Sequence, residues 1–250
     1  MKRLFWDIET APNVVLSWRT GYKINLDADN IIKERAIICI GYKWEHEREA
    51  HCLTWNSEQD DKPMLKRFLK IANAADELVA HNGDTFDLPW FLTRCAFHGI
   101  KTFPTYKTID TLQWARKRFY FNSNKLNYIA KYLGIGQKLH TGLGLWKAIC
   151  LNRCKKSLKH MADYCKQDVR LLEKVWERLA EMSKPKTHVG VQSGNGRWTC
   201  PRDGSESVKV SKTNVTATGT VSYQMQCRKC GCYYSISRKA LEEYKEAKKK

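Results

Sequence analysis

Hydrophobic and polar positions follow two different periods along this chain, and the change from one to the other organises it. Near the start, Leu4–Asp7 has the character of a short strand, followed by an irregular stretch through Asn30. Arg35–Trp44 (RAIICIGYKW) and Glu49–Trp55 read as two more strands, the first rich in Ile and therefore buried. Apolar residues then recur at Leu65, Phe68, Leu69 and Ala72, which predicts a helix over Pro63–Ala75. Glu77–Ala80 is a brief strand, and Phe86–Phe97 a helix with Pro89 in its first turn, where a missing N–H costs little. Lys107–Ile109 is a further strand, ending at Asp110. From about Lys125 the period turns helical, first over Lys125–Leu133 with Gly134 as its C-cap and then over Leu143–Leu151. The segment Ser157–Met182 carries one apolar stripe through Leu158, Met161, Cys165, Leu172, Trp176 and Leu179. Strands first, with helices interleaved and following, predict an α/β fold in which helices cover a mixed sheet.

Around 183–196 (SKPKTHVGVQSGNG) the composition shifts to Gly, Ser, Pro and Lys, which reads as a linker. The expected domains are therefore 1–182, a small cysteine-bearing unit over 197–237, and a basic tail over 238–250 that forms at most a frayed helix. A chain of 250 residues suffices for one sizeable core plus such an appendage. No apolar run approaches bilayer length, and the opening MKRLFWDIET meets an acidic pair before any leader-like core forms. These features predict a soluble, intracellular, cytoplasmic protein with no membrane association. The net charge of +18, from 44 Lys+Arg against 26 Asp+Glu, favours a polyanionic partner and above all nucleic acid. Charge alone says nothing of chemistry.

Three acidic motifs supply the chemistry. Asp7-Ile8-Glu9 ends a strand, where residues two apart point to one face and bring both carboxylates out together. Such like charges repel unless a cation lies between them. His81-Asn82-Gly83-Asp84-Thr85-Phe86-Asp87 lies at a strand-to-helix junction, where α/β sheets build sites. Tyr164 and Asp168, four apart, share one face of the long helix. Each motif alone has an ordinary structural explanation: an acidic turn, a cap by Asp84 or Thr85 with Asp87 facing the helix dipole, or a solvated polar pair. Asp110, in KTIDTL, reads as an N-cap for a helix over Thr111–Lys117 or as a support for the site.

Together, in this order, FWDIET, HNGDTFDLPWF and YCKQD resemble the DEDD (DnaQ-like) 3′–5′ exonucleases of the ribonuclease H-like fold. The pattern there is D-x-E, N-x-x-x-F-D and Y-x-x-x-D. The tyrosine form of the third motif is similar to that of the proofreading domains of family B DNA polymerases. The histidine form is excluded, because position 163 is Asp. The resemblance covers roughly the first three-quarters of the chain. It implies two Mg²⁺ or Mn²⁺ ions, with Asp7 bridging them, Glu9 and Asp168 completing one site, and Asp87 holding the second ion through water. It also implies that Tyr164 orients the attacking water and that Asn82, Thr10 and Phe86 bind the terminal nucleotide. Asp84 competes with Asp87, but the F-D register favours Asp87. No polymerising domain follows residue 182, so the resemblance points to a stand-alone exonuclease acting on DNA 3′ ends, with RNA the less favoured substrate.

Ten cysteines add one further site. Cys200, Cys227, Cys230 and Cys232 crowd into the last fifth of the chain, while the other six are scattered among apolar residues. Cys200-Pro201-Arg202-Asp203 and Cys227-Arg228-Lys229-Cys230-Gly231, about two dozen residues apart, resemble the two knuckles of a zinc ribbon. The second knuckle is intact. In the first, Asp203 stands where a Cys is normal, and the expected Zn²⁺ ligands are Cys200, Asp203, Cys227 and Cys230, with Cys232 or His188 as substitutes for Asp203. Arg197, Lys209, Arg228 and Lys229, interleaved with Trp198, Tyr223, Tyr233 and Tyr234, suit a grip on nucleic acid or on a protein partner, although some of these aromatics must form the unit's core. Cys150, Cys154 and Cys165 read as core thiols rather than as a metal site with His160, and the glycines at 134, 136, 142 and 144 form no phosphate fingerprint. Two competing readings remain: a non-catalytic nucleic-acid binder on a nuclease fold, and a structure-specific endonuclease or RNA-processing enzyme.

Overall fold

A computed structural model describes every residue except Tyr22, His140 and Lys250. Tyr22 belongs to the expected irregular stretch and Lys250 to the expected tail, so those two points lie outside the described residues. The chain divides into two compact units, Lys2–Leu179 and, with Met1, Ala180–Lys250.

In the larger unit the elements run β1 (Arg3–Thr10), β2 (Val14–Val15), β3 (Ile31–Lys33), β4 (Ile37–Trp44), β5 (His51–Thr54), α1 (Lys62–Asn73), β6 (Glu77–Ala80), α2 (Asp87–Phe97), β7 (Thr108–Asp110), α3 (Thr111–Arg118), α4 (Leu126–Tyr132), α5 (Leu143–Cys150) and α6 (Lys155–Ala180). Five strands form one mixed sheet in the order β5-β4-β1-β6-β7. β5, β4 and β1 pair antiparallel, and β1, β6 and β7 pair parallel. This is the expected ribonuclease H-like arrangement, a mixed sheet flanked by helices. The consecutive parallel strands β6 and β7 are joined by a crossover through α2, as their geometry requires.

Alternation along β1 assigns the two faces. Leu4, Trp6 and Ile8 enter a core with Leu65, Phe68 and Phe91 of α1 and α2, where Trp6 stacks on Phe68 at 5.1 Å. Phe5 enters the opposite core with Ile129 of α4 and Val169, Leu172 and Val175 of α6. Each such fully buried apolar side chain contributes about 1.5–3 kcal/mol. A third cluster joins Ile38 and Cys39 of β4 to Ile149 of α5 and Met161 and Cys165 of α6.

The structure adds detail where the sequence pattern was silent. β2, inside the stretch read as irregular, pairs with β3 just past its end in a small antiparallel ladder, too short for a period of two to register. β1 runs on to Thr10, so Glu9 lies within the strand as Asp7 does, rather than just past it.

The smaller unit contains α7 (Val189–Gln192), β8 (Val208–Val215), β9 (Val221–Cys227), β10 (Tyr233–Ile236) and α8 (Arg238–Ala247). Its three strands form an antiparallel sheet in the order β10-β9-β8. The stretch 183–196, expected as a linker, carries α7, whose Gly190 packs so closely that a Cβ there would lie 2.0 Å from Thr199 Oγ1. The glycines that suggested a flexible connection are in part there for contact. The expected frayed tail is α8, capped by Ser237 and anchored by the buried Ala240 and Leu241. Among the described residues no helix is long and apolar enough to cross a membrane.

Candidate active site

The site grows from the face of β1 that Phe5 begins. Phe5 meets Trp176 of α6 edge to face at 5.3 Å, and Asp7 and Glu9 continue that face toward the earlier turns of the helix. Opposite Asp7 in the β1–β4 register stands Gly41. A Cβ at position 41 would lie 2.8 Å from Cys165 Sγ and 3.1 Å from Val169 Cγ2. The missing side chain therefore lets α6 settle on the sheet, and Asp168 arrives beside Asp7. Asp7, Glu9 and Asp168 each bring a carboxylate oxygen within 4.8 Å of the other two.

Asp87 reaches the site from the start of α2. It is buried, and its Oδ1 accepts the Ile8 N–H at 3.0 Å, between the two acids of β1. It does not join the three-carboxylate cluster. Asp84, its sequence competitor, is exposed. Neither Asp84 nor Thr85 makes a capping hydrogen bond to α2; Phe86 occupies the cap position. Asp110 caps α3 by accepting from Leu112 N at 2.9 Å, and it also accepts from Asn82 N at 2.9 Å and Asp84 N at 3.3 Å. It thus ties the second motif's turn to β7. Asn82 sits at φ +75°, in the left-handed region that Asn tolerates better than most residues.

Burial dominates the electrostatics. It pushes Asp7 up to about 7 against the pull of Lys138, with Asp168's charge adding to the rise. Glu9 is pushed up to about 8 by burial and then by its acidic neighbours Asp7 and Asp168. Asp87 and Asp168 are also raised, chiefly by burial. The Tyr164 hydroxyl is pushed up to about 12, by burial and then by Asp168, so it stays protonated at neutral pH.

Lys138 is the residue that sequence reasoning missed. Its Nζ donates to Asp168 Oδ2 at 2.5 Å and lies 5.6 Å from the Tyr164 ring centroid. Although burial works against it, the Asp7 and Asp168 carboxylates hold this ammonium above its usual range. It stands in a loop without periodicity, so only the chain's excess of basic residues hinted at such a partner. The other oxygen of Asp168, Oδ1, is buried with no hydrogen-bond partner. An orphaned carboxylate oxygen beside two further acids is a donor set for a hard divalent cation.

Beside Glu9 opens a cleft of about 590 Å³, lined among others by Thr10, Arg35, Phe86, Leu143 and Trp146. Arg35 donates to Thr10 Oγ1 at 2.8 Å and lies over Trp90 at 4.3 Å, and Trp146 Nε1 donates to the Thr10 carbonyl at 3.0 Å. Of the three expected nucleotide-binding residues, Thr10 and Phe86 line this cleft. Asn82 does not; its Oδ1 accepts from the Thr85 hydroxyl at 2.7 Å.

In the smaller unit, Cys200, Asp203, Cys227 and Cys230 bring one ligand atom each within 4.8 Å of the others. Cys200 and Cys230 sulfurs are 3.6 Å apart, and Cys227 Sγ is 3.7 Å from both Asp203 oxygens. Sulfurs around a tetrahedral zinc lie about 3.8 Å apart, so the residues present fit that ion. Neither proposed substitute for Asp203 joins the cluster. His188 uses Nδ1 to accept from Val191 N, capping α7, and Nε2 meets the Arg197 carbonyl. Trp198 is buried and its carbonyl accepts from the Tyr234 hydroxyl at 2.6 Å, so these two aromatics serve the core.

The fold and the site together define a protein whose mixed sheet presents half-buried carboxylates to one helix beside an open cleft. The RNase_H superfamily profile matches residues 27–180. The chain belongs to the RNase_H superfamily. The matched stretch holds Asp87 and Asp168 and begins after Asp7 and Glu9. No curated protein matches the sequence. Among solved structures, the chain is similar to the family B DNA polymerase from the hyperthermophilic archaeon Pyrobaculum calidifontis, with a TM-score of 0.56 and 15% identity. That likeness covers 72% of this chain and 24% of the polymerase, and at this identity it speaks to the fold.

Proposed function

We propose that this protein is a metal-dependent nuclease that removes nucleotides from the 3′ end of DNA. The observation that carries the reading is the convergence of Asp7, Glu9 and Asp168, with Asp168 Oδ1 buried and unpartnered. Asp7, Glu9 and Asp168 would hold one divalent cation and Asp7 with Asp87 a second, Mg²⁺ or Mn²⁺. Such ions, when bound, acidify water and stabilise the charge of the leaving oxygen. The chain's own groups do the rest. Tyr164, protonated, orients water by hydrogen bonding rather than by accepting its proton. Lys138 brings a fixed positive charge to the place where a phosphate must lie. Arg35, Thr10 and Phe86 in the cleft suit a phosphate contact and base stacking at the chain end. We further propose that Cys200, Asp203, Cys227 and Cys230 hold a structural Zn²⁺ in a ribbon whose exposed Arg197, Lys209, Arg228 and Lys229 grip nucleic acid.

A second reading, a non-catalytic nucleic-acid binder, draws on the Lys138–Asp168 ion pair, which neutralises one acid without any metal. Digestion of matched 5′-labelled DNA and RNA single strands with Mg²⁺ or Mn²⁺ separates the two. The expected outcome is a ladder of stepwise 3′ loss on DNA, reduced on the order of 10³-fold in Asp7→Ala and Asp168→Ala chains. Internal cuts would favour an endonuclease. Absence of cleavage with retained DNA binding in all three proteins would leave the binder.

A further inference from the structure

Three cysteines outside both sites converge. Cys39 of β4, Cys52 of β5 and Cys165 of α6 place their sulfurs within 4.8 Å of one another. All three are free thiols. Cys39 and Cys165 are fully buried, while Cys52 is partly exposed on β5, an edge strand of the sheet. Cys165 Sγ donates to the Asp7 carbonyl at 3.5 Å and lies 3.9 Å from Asp7 Oδ2. Buried cysteines pack as small apolar groups, but three sulfurs that meet at one point from three elements also form a set of soft ligands. Three sulfurs, one of them with a carboxylate oxygen beside it, offer the donor set of a tetrahedral site. The sulfur–sulfur edge around zinc is about 3.8 Å, so closing on an ion asks these side chains for shifts of about 1 Å or less.

We infer that Cys39, Cys52 and Cys165 form a binding site for one thiophilic divalent cation of the Zn²⁺ or Cd²⁺ class, with Asp7 Oδ2, beside Cys165, as the carboxylate that would supply a fourth donor. Sulfur selects against Mg²⁺ and Ca²⁺, which take oxygen ligands, so this site and the carboxylate cluster discriminate by softness although they share Asp7. Each ligating thiol exchanges its S–H bond for a bond to the ion and releases its proton to solvent. The two positive charges of the ion offset two of the three thiolates. Binding therefore tightens as pH rises. Cys52, at the edge strand, is the point of entry. Occupancy of the site does not depend on whether the protein cleaves nucleic acid.

The test uses the full, freshly reduced chain with Mg²⁺ present. Zn²⁺ is added stepwise, the protein is alkylated with iodoacetamide, and each cysteine-bearing peptide is followed by mass spectrometry. The expected result is at least about tenfold slower alkylation of Cys52, in a step separate from the protection of Cys200, Cys227 and Cys230. A Cys52→Ser chain, altered only on an edge strand, is expected to bind one Cd²⁺ fewer than the unsubstituted protein and to lose part of the sulfur-to-cadmium absorbance. Alkylation of Cys52 at one rate with and without Zn²⁺ would overturn the inference. So would a Cys52→Ser chain that binds as much Cd²⁺ as the parent.

Discussion

The carboxylates of the larger unit and the cysteine–aspartate group of the smaller one both gather ligands, yet they are held by different means. Asp7, Glu9 and Asp168 ride on β1 and α6, which are fixed by Phe5, Val169, Leu172 and Val175 whatever sits between the acids. Cys200, Asp203, Cys227 and Cys230 stand on two turns around a core of few large side chains, among them Trp198, Met225, Ile236 and Leu241. In the first region the fold imposes a cluster of like charges, half-buried at Asp7 and Glu9 and buried at Asp168, which the proposed cation would relieve. In the second the proposed cation would itself be part of what folds. The same act, removal of metal, should therefore disable function in one region and structure in the other.

The largest effect expected follows directly. Stripping the protein with a strong chelator should unfold β8, β9 and β10, a loss on the order of 10 kcal/mol for a structural zinc. Hydrogen exchange would show loss of protection across Val208–Val215 and Val221–Cys227, while β1 and β6 stay protected. Equal protection of both units after chelation would remove the contrast.

A smaller effect concerns Tyr164. Phenylalanine at this position keeps the ring and removes the hydroxyl, and cleavage is expected to slow about ten- to a hundredfold with the fold intact. Because burial holds the hydroxyl at about 12, the rate of the unsubstituted protein should show no limb from this group near neutral pH. An unchanged rate in Tyr164→Phe would take the tyrosine out of the chemistry.

The smallest effect is on stability. Asp7 and Glu9 rise from ordinary values of 3.8 and 4.5 to about 7 and about 8. Between those limits the folded chain holds more protons than the unfolded one, so the metal-free protein loses stability as pH rises through that window. Below it, both states are protonated and the penalty is absent. Asp7→Asn should stabilise the metal-free larger unit at about pH 8 by on the order of 2 kcal/mol, while abolishing cleavage. Thermal melts across the window test this; a stability that rises with pH in the absence of metal would contradict it.

Much of the larger unit is legible in the sequence because its elements are long and strongly patterned. The stripe of α6 and the Ile-rich β4 announce themselves, and the three acidic motifs lie on elements whose type was readable. What escaped depends on contacts rather than on period. Gly41 reads as an ordinary strand residue until α6 is seen against it, and Lys138 carries no local signal because its partner is thirty residues away. Cys39, Cys52 and Cys165 look scattered until β4, β5 and α6 bring them to one place. The linker expectation failed in physical terms at Gly190, since small residues permit close packing as readily as they permit flexibility.

The central claim is that the converging carboxylates at Asp7, Glu9 and Asp168 form a cation site and not a set of structural charges. Calorimetric titration of Mn²⁺ into the protein at about pH 7, in buffers of different ionisation heat, tests it most directly. The account predicts saturable binding with proton release, as acids held near 7 and 8 give up their protons, and loss of that binding in Asp7→Asn. Equal binding by Asp7→Asn, or binding that releases no protons, would contradict it.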